Sequence, residues 1–198
     1  MRLELAVEPT EEPVSLAALK LHARVEDTTD DDLISELGIA ARKRVESDTG
    51  RALCTQEWIA WLDSFPAYSN DPIYLPLPPL ATVDKITYTN TSGVSTEWVA
   101  GKFQSDGDTS MVQRARLLPA YGEVWPDTRD ILNAVKIEFT CGYGTAGSVP
   151  QSLRHALKML VGTWYEHRET LMVGTNATEI PAPAAYGWII GPYIVPKW

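Results

Sequence analysis

Apolar residues recur at spacings of three and four in two stretches near the N-terminus and in one late stretch, and they alternate with polar residues in between. Leu16, Leu19 and Ala23 share one face of a helix that Ser15, just after Pro13, is suited to cap. The pattern stops around Val25, and Asp27-Thr28-Thr29-Asp30 reads as a turn. Asp30, Asp31 and Asp32 open a second helix, where carboxylates favour the positive end of the helix dipole. Ile34, Leu37, Ala41 and Val45 form its apolar stripe, and Gly50 is placed to end it in the left-handed conformation. These two helices occupy about residues 14–50. A third spans about 148–169, with Pro150 in its first turn and Leu153, Leu157, Leu160, Val161 and Trp164 on one face.

Residues 52–143 carry a strand texture. Thr55 to Leu62 is β-like, Ile73-Tyr74-Leu75 is a short strand, and Pro76, Pro78 and Pro79 belong to an edge or a connection because they donate no ladder hydrogen bond. Val83 to Thr89 alternates, Asn90-Thr91-Ser92-Gly93 turns, and Ser95 to Val99 returns, which predicts a hairpin. Val135 to Phe139 is the clearest strand. The expected fold class is α+β: a small helical bundle of three main helices with an inserted, mostly antiparallel β-sheet and an extended C-terminal arm. The expected boundaries are 1–170 for the body and 171–198 for the arm.

The arm is the anomaly. Gly174, Pro181, Pro183, Gly187, Gly191, Pro192 and Pro196 leave space only for a short helix near Ala184 to Ile190. Yet Tyr186, Trp188, Ile189, Ile190, Tyr193, Ile194, Val195 and Trp198 are too apolar for a solvated tail. These eight are the candidate partner-binding residues, since aromatic anchors dominate the energetics of protein interfaces. An arm that docks elsewhere predicts that deleting the residues after Met172 leaves a folded subunit. The competing expectation is that the arm folds back on its own body.

Composition narrows the chemistry. The net charge of −9 gives no electrostatic reason to hold phosphate backbones, so specific nucleic-acid binding is not expected. Met1 to Thr10 has no signal-peptide pattern, and no apolar run reaches the ~18 residues of a membrane span, so the expectation is a protein kept in a cytoplasm. Cys54 and Cys141 read as buried thiols, and no CxxC or histidine cluster marks a metal site. Gly142-Tyr143-Gly144 lacks the register of a phosphate loop and reads as a turn leaving a strand. His22, His155 and His167 have no assignable nucleophile or carboxylate partner. Trp58, Trp61, Trp98 and Trp125 read as core packing rather than a carbohydrate platform. No cofactor and no catalytic residue is expected.

The chain resembles the phage head–tail connector (adaptor) family, especially its longer members with a β insertion, found in tailed phages, prophages and gene transfer agents. The resemblance runs from Pro13-Val14-Ser15-Leu16-Ala17 through Asp30-Asp31-Asp32-Leu33-Ile34 to Ser47-Asp48-Thr49-Gly50-Arg51-Ala52-Leu53. It resumes at Leu75-Pro76-Leu77-Pro78-Pro79-Leu80, at Leu117-Leu118-Pro119-Ala120-Tyr121-Gly122 with Trp125-Pro126, and at Phe139-Thr140-Cys141-Gly142-Tyr143-Gly144. It closes with Val149-Pro150 and Trp164-Tyr165-Glu166-His167-Arg168-Glu169. The order of these segments carries the resemblance, not any one of them. The tail departs from it: Ile180-Pro181-Ala182-Pro183 and Pro192-Tyr193-Ile194 stand where relatives often carry Pro-Phe-Gly-like and Pro-Tyr-Arg runs.

The resemblance implies a non-enzymatic subunit of the virion neck, assembled in a bacterial cytoplasm. It implies a homo-oligomeric ring of twelve beneath the portal protein, bound below to a stopper or tail protein, with DNA passing through the lumen unbound and no membrane involved. Arg42, Lys43 and Arg44 are the candidate lumen cations. The alternatives are a stopper or tail terminator and, further off, a small hydrolase.

Overall fold

The Ser15 hydroxyl accepts a hydrogen bond from the Ala18 amide at 3.3 Å and starts α1 (Leu16–Ala23), which Arg24 ends in the left-handed conformation at φ 56°. In this computed structural model, which describes residues 1–107, 113–167, 171–172, 178–179 and 183–196, α2 (Asp31–Thr49) follows after a short turn. Gly50 closes α2 at φ 69°, its amide donating to the Glu46 carbonyl at 2.8 Å. Gly38 lets α1 lie close on α2: a Cβ there would come within 2.9 Å of Leu19 Cδ1. Helix α3 (Gln151–Glu166) returns across both. Pro150 is the residue before the first helical turn, with an extended ψ of 135°, and not a member of that turn.

Leu19, Ile34, Ala41, Val45, Leu153, Leu157, Leu160 and Val161 bury the three stripes in one helical core. Helix α4 (Ala184–Ile190) also packs there, chiefly on α3. A single-turn 3-10 helix (Gly191–Tyr193) follows it.

The strands form two main sheets, not one. The larger has the order β1-β2-β8-β4-β5, with β1 (Arg2–Val7), β2 (Gln56–Leu62), β4 (Leu80–Thr89), β5 (Ser95–Glu97) and β8 (Val135–Cys141). The smaller has the order β3-β7-β6, from β3 (Ile73–Leu75), β6 (Phe103–Asp106) and β7 (Ala115–Pro119). A two-residue pair, β9 (Leu171–Met172) with β10 (Thr178–Glu179), stands apart. Every pairing is antiparallel. The α+β expectation holds, with a second sheet and an N-terminal strand added. β1 escapes a local reading because the strand that gives it a register, β2, lies some fifty residues away in sequence.

Strand β8 alternates strictly, burying Val135, Ile137, Phe139 and Cys141 on one face. With Ala60 and Ile86 from the same sheet and Ile73, Leu75 and Leu117 from the other, these residues fill a second core. Phe65, Trp98 and Trp125 close it, stacked or tilted with ring centroids 5.1–5.6 Å apart. Trp98 and Trp125 are thus core residues, whereas Trp58 is half-buried and Trp61 lies on the outer sheet face.

The two cores meet at a seam of two crossing linkers. Tyr143 donates its amide to the Leu53 carbonyl at 2.8 Å, and Thr55 donates to the Gly144 carbonyl at 3.1 Å. Gly142, at φ 114°, is obligatory there: a Cβ would stand 2.3 Å from the Cys54 carbonyl oxygen. Ala52 and Cys141 face the sheet core while Leu53 and Cys54 face the helical one. The glycine pair after β8 is therefore a turn leaving a strand, as its spacing suggests.

Candidate assembly surfaces

The eight apolar residues of the C-terminal segment do not share one fate. Spaced four apart on α4, Tyr186 and Ile190 point into the helical core, and Val195 is buried beside Gly50 at the end of α2. Ile189 and Tyr193 are half-buried against the same core. Trp188, 86% exposed, and Ile194, 44% exposed, face outward. Trp198 lies outside the described residues.

Polar contacts hold the segment down. The Tyr186 hydroxyl donates to Asp48 at 2.8 Å, the Val195 amide donates to the Thr49 carbonyl at 2.8 Å, and Arg51 Nε donates to the Tyr193 carbonyl at 2.7 Å. Arg51 is itself buried and also reaches the Tyr143 hydroxyl at 3.1 Å. Burial, reinforced by the donated bond to Asp48, pushes the Tyr186 phenol well above its ordinary value. Within residues 183–196, therefore, the body of the subunit itself covers Tyr186, Ile190 and Val195. The segment's outward-facing apolar surface reduces, among the described residues, to Trp188 and Ile194 with their half-buried neighbours.

The three cations near the end of α2 are also separated by the fold. Arg42 is only 4% exposed. It donates to Glu12 at 2.9 Å and to Glu46 at 3.0 Å. Burial works against its charge, but the two carboxylates outweigh that penalty and raise its pKa. Arg42 is thus withdrawn from the candidate lumen cations: it clasps the N-terminal strap onto α2. Lys43 and Arg44 remain exposed, paired with Glu8 and Asp48.

No constellation of catalytic type forms around the groups weighed in the sequence. Both cysteines are free and buried; burial pushes the Cys54 thiol up to about 12 and raises Cys141 as well, so neither is a thiolate at neutral pH. His22 and His155 meet edge to face across α1 and α3 at 6.3 Å. Burial lowers the His22 pKa, helped by the neighbouring His155 and Lys158. Among the described residues no three His, Cys, Asp or Glu side chains gather as metal ligands, and no helix is long and apolar enough to cross a membrane. An open depression of about 490 Å³ lies between the 65–70 and 124–128 loops, and it contains a single carboxylate, Asp127.

That depression marks a surface the sequence pattern does not flag. Leu62, Val135 and Tyr88 share the sheet end away from the linkers to the helices, and long loops leave it. Tyr68, Tyr121, Val124 and Leu132 are exposed on those loops. Single apolar residues among prolines and glycines carry no period, so nothing in the sequence separates them from buried loop residues.

Fold and surface together define a two-core α+β scaffold whose distinctive features are outward-facing apolar positions and open strand edges, not a polar cleft. Three solved structures share that fold over the whole chain. The neck of an empty GTA particle, computed with C6 symmetry, contains a chain 23% identical at a TM-score of 0.80, covering 100% of this chain and 97% of that one. The virion of a native gene transfer agent (GTA) particle gives 22% identity and a TM-score of 0.76 at the same coverage. The neck of a native GTA particle, computed with C12 symmetry, gives 22% and 0.71. No family model and no curated protein matches the sequence. The fold implied by the connector resemblance is the fold these particle proteins have.

Proposed function

We propose that this chain is a structural subunit of a virion neck, in the adaptor position: one of a ring, expected to be of twelve, that joins the portal to a stopper or tail protein and conducts DNA without binding it. The observation that carries this is the full-length likeness to GTA particle chains, two of them in necks computed with cyclic symmetry. The three-helix layer supports the adaptor position over a stopper or tail terminator, which are typically β-rich. The net charge of −9 suits a conduit past which a polyanion must slide. The role requires no catalytic step, and none is assigned. Trp188 and Ile194 form the C-terminal partner site in this reading, because an exposed Trp is the residue type that most often anchors an interface.

Electron microscopy of the neck of the particle that carries this protein tests the assignment. The expected result is density for this fold in a ring directly below the portal. A position at the far side of the neck would assign a stopper or terminator instead, and its absence from the neck would overturn the proposal. Trp188→Ala supplies the residue-level check: its stability should stay within about 0.5 kcal/mol of wild type, while its incorporation into particles falls.

A further inference from the structure

The larger sheet is open at both ends. Among the described residues β1 pairs only with β2, and all six of its residues are exposed; β5 pairs only with β4. Leu3, Leu5 and Val7 alternate along β1 as exposed aliphatics, and Val94 and Val99 flank β5 in the same state. Open edges of this kind invite another strand, and proteins usually blunt them with proline or charge on the edge. Here a bulge between Leu5 and Val7 irregularises only the end of β1 and leaves Arg2 to Leu5 in regular register.

One cross-strand row shows what fits. Arg2 stands opposite Trp61, Trp61 opposite Lys136, Lys136 opposite Thr87, and Thr87 opposite Glu97. The row begins in a cation at the β1 edge and ends in an anion at the β5 edge. Both end charges are exposed and paired at the surface, Arg2 with Glu4 and Glu97 with Lys85, each at 3.3 Å, and Arg2 also lies over the Trp61 ring at 5.4 Å. Such pairs are worth little and exchange readily. Strand direction completes the argument. Four successive antiparallel pairings leave β1 and β5 running the same way. A β1 edge joined to a β1 edge would be a twofold contact that ends at a dimer, whereas β1 joined to β5 is head-to-tail and repeats around a ring.

We infer that the five-stranded sheet continues from subunit to subunit, the β5 edge of one copy receiving the β1 edge of the next in parallel, with Arg2 of one copy beside Glu97 of the other. The inference rests on the ring reading above for its occupant, a second copy of this chain. In that register Glu97 to Val99 lie beside Arg2 to Glu4, so the contact covers the start of β1 and the chain leaving β5.

Three measurements on the full chain test it. Backbone amides of residues 2–4 are compared by hydrogen exchange in the free subunit and in the assembled neck; the expected result is protection on assembly, and unchanged exchange overturns the inference. A photo-crosslinker placed at Leu5 should yield a dimer of this chain, and a product with any other neck protein overturns it. Arg2→Glu and Glu97→Arg should each weaken association about fivefold per interface, and the double reversal should restore it; failure of the double to rescue counts against the pairing. Because both residues are exposed, the variants should melt like wild type, and should either misfold, the wild-type exchange result decides alone. A wild-type subunit missing from the neck fails the ring reading. A subunit present in a ring with its β1 amides unprotected fails only the sheet continuation.

Discussion

The helical half and the sheet half of this protein are built by opposite strategies. The sheet core is closed by residues 52–141 alone, with Phe65, Trp98 and Trp125 as its lid. The helical core is closed by parts far apart in the chain. Val14 enters it from the N-terminal strap, and Tyr186 and Ile190 enter it from the C-terminal segment. Three glutamates within five residues fasten the strap: Glu8 to Lys43, Glu11 to the Ala146 amide, and Glu12 to Arg42. The lesson is that a helical bundle with narrow stripes needs outside cover, whereas two facing sheets supply their own. The helical half is therefore where the chain ends matter, and where a change of partner would be felt.

The largest test removes that cover. Deleting residues 183–198 removes three buried side chains, Tyr186, Ile190 and Val195, each worth about 1.5–3 kcal/mol, so the helical half should lose on the order of 5 kcal/mol. This reverses the expectation of a dispensable arm. Thermal melts followed by hydrogen exchange should show early loss of protection in α2 and α3 while β2 and β8 persist. An unchanged melting temperature would mean that the cover contributes nothing and would remove the asymmetry between the halves.

A smaller test cuts the strap. Arg42→Ala strands Glu12 and Glu46 beside a buried position, and breaking such a pair costs about 3 kcal/mol. Glu46 also accepts from the Leu53 amide at 3.0 Å and from Gln56 Nε2 at 2.8 Å, so the loss should spread into the seam. Urea denaturation read at separate tryptophans distinguishes a helical-half effect from a global one: a single coincident shift would show that the halves unfold as one.

The smallest test is by pH. Folding lowers the His22 pKa below its ordinary 6.5, so near that pH the unfolded chain binds more protons than the folded one. Stability should therefore fall as pH drops from about 7 through 6 and level off once the folded state is protonated too. His22→Gln should flatten that slope in the helical half, and a slope unchanged by the substitution would place its origin elsewhere.

Local pattern was enough to read the helices, their caps at Ser15 and Gly50, the Val135 strand and the short α4, because each is specified by spacing within a dozen residues. It was also enough to mark the C-terminal apolar residues as needing cover. What covers them was beyond it: Asp48 is brought beside Tyr186, and Arg51 beside Tyr193, from some 140 residues away. The same holds for Arg42, which in sequence is one cation in a run of three and in the fold is the one turned inward. β1, β6 and β7 were not legible because strands of four to six residues acquire a face only from their partners. Periodicity is a property of the chain near one residue and sets what an element is. Which face meets which, and which charges end up at the two open edges of the sheet, is a property of tertiary packing, because contacts between distant segments form only when the whole chain has closed.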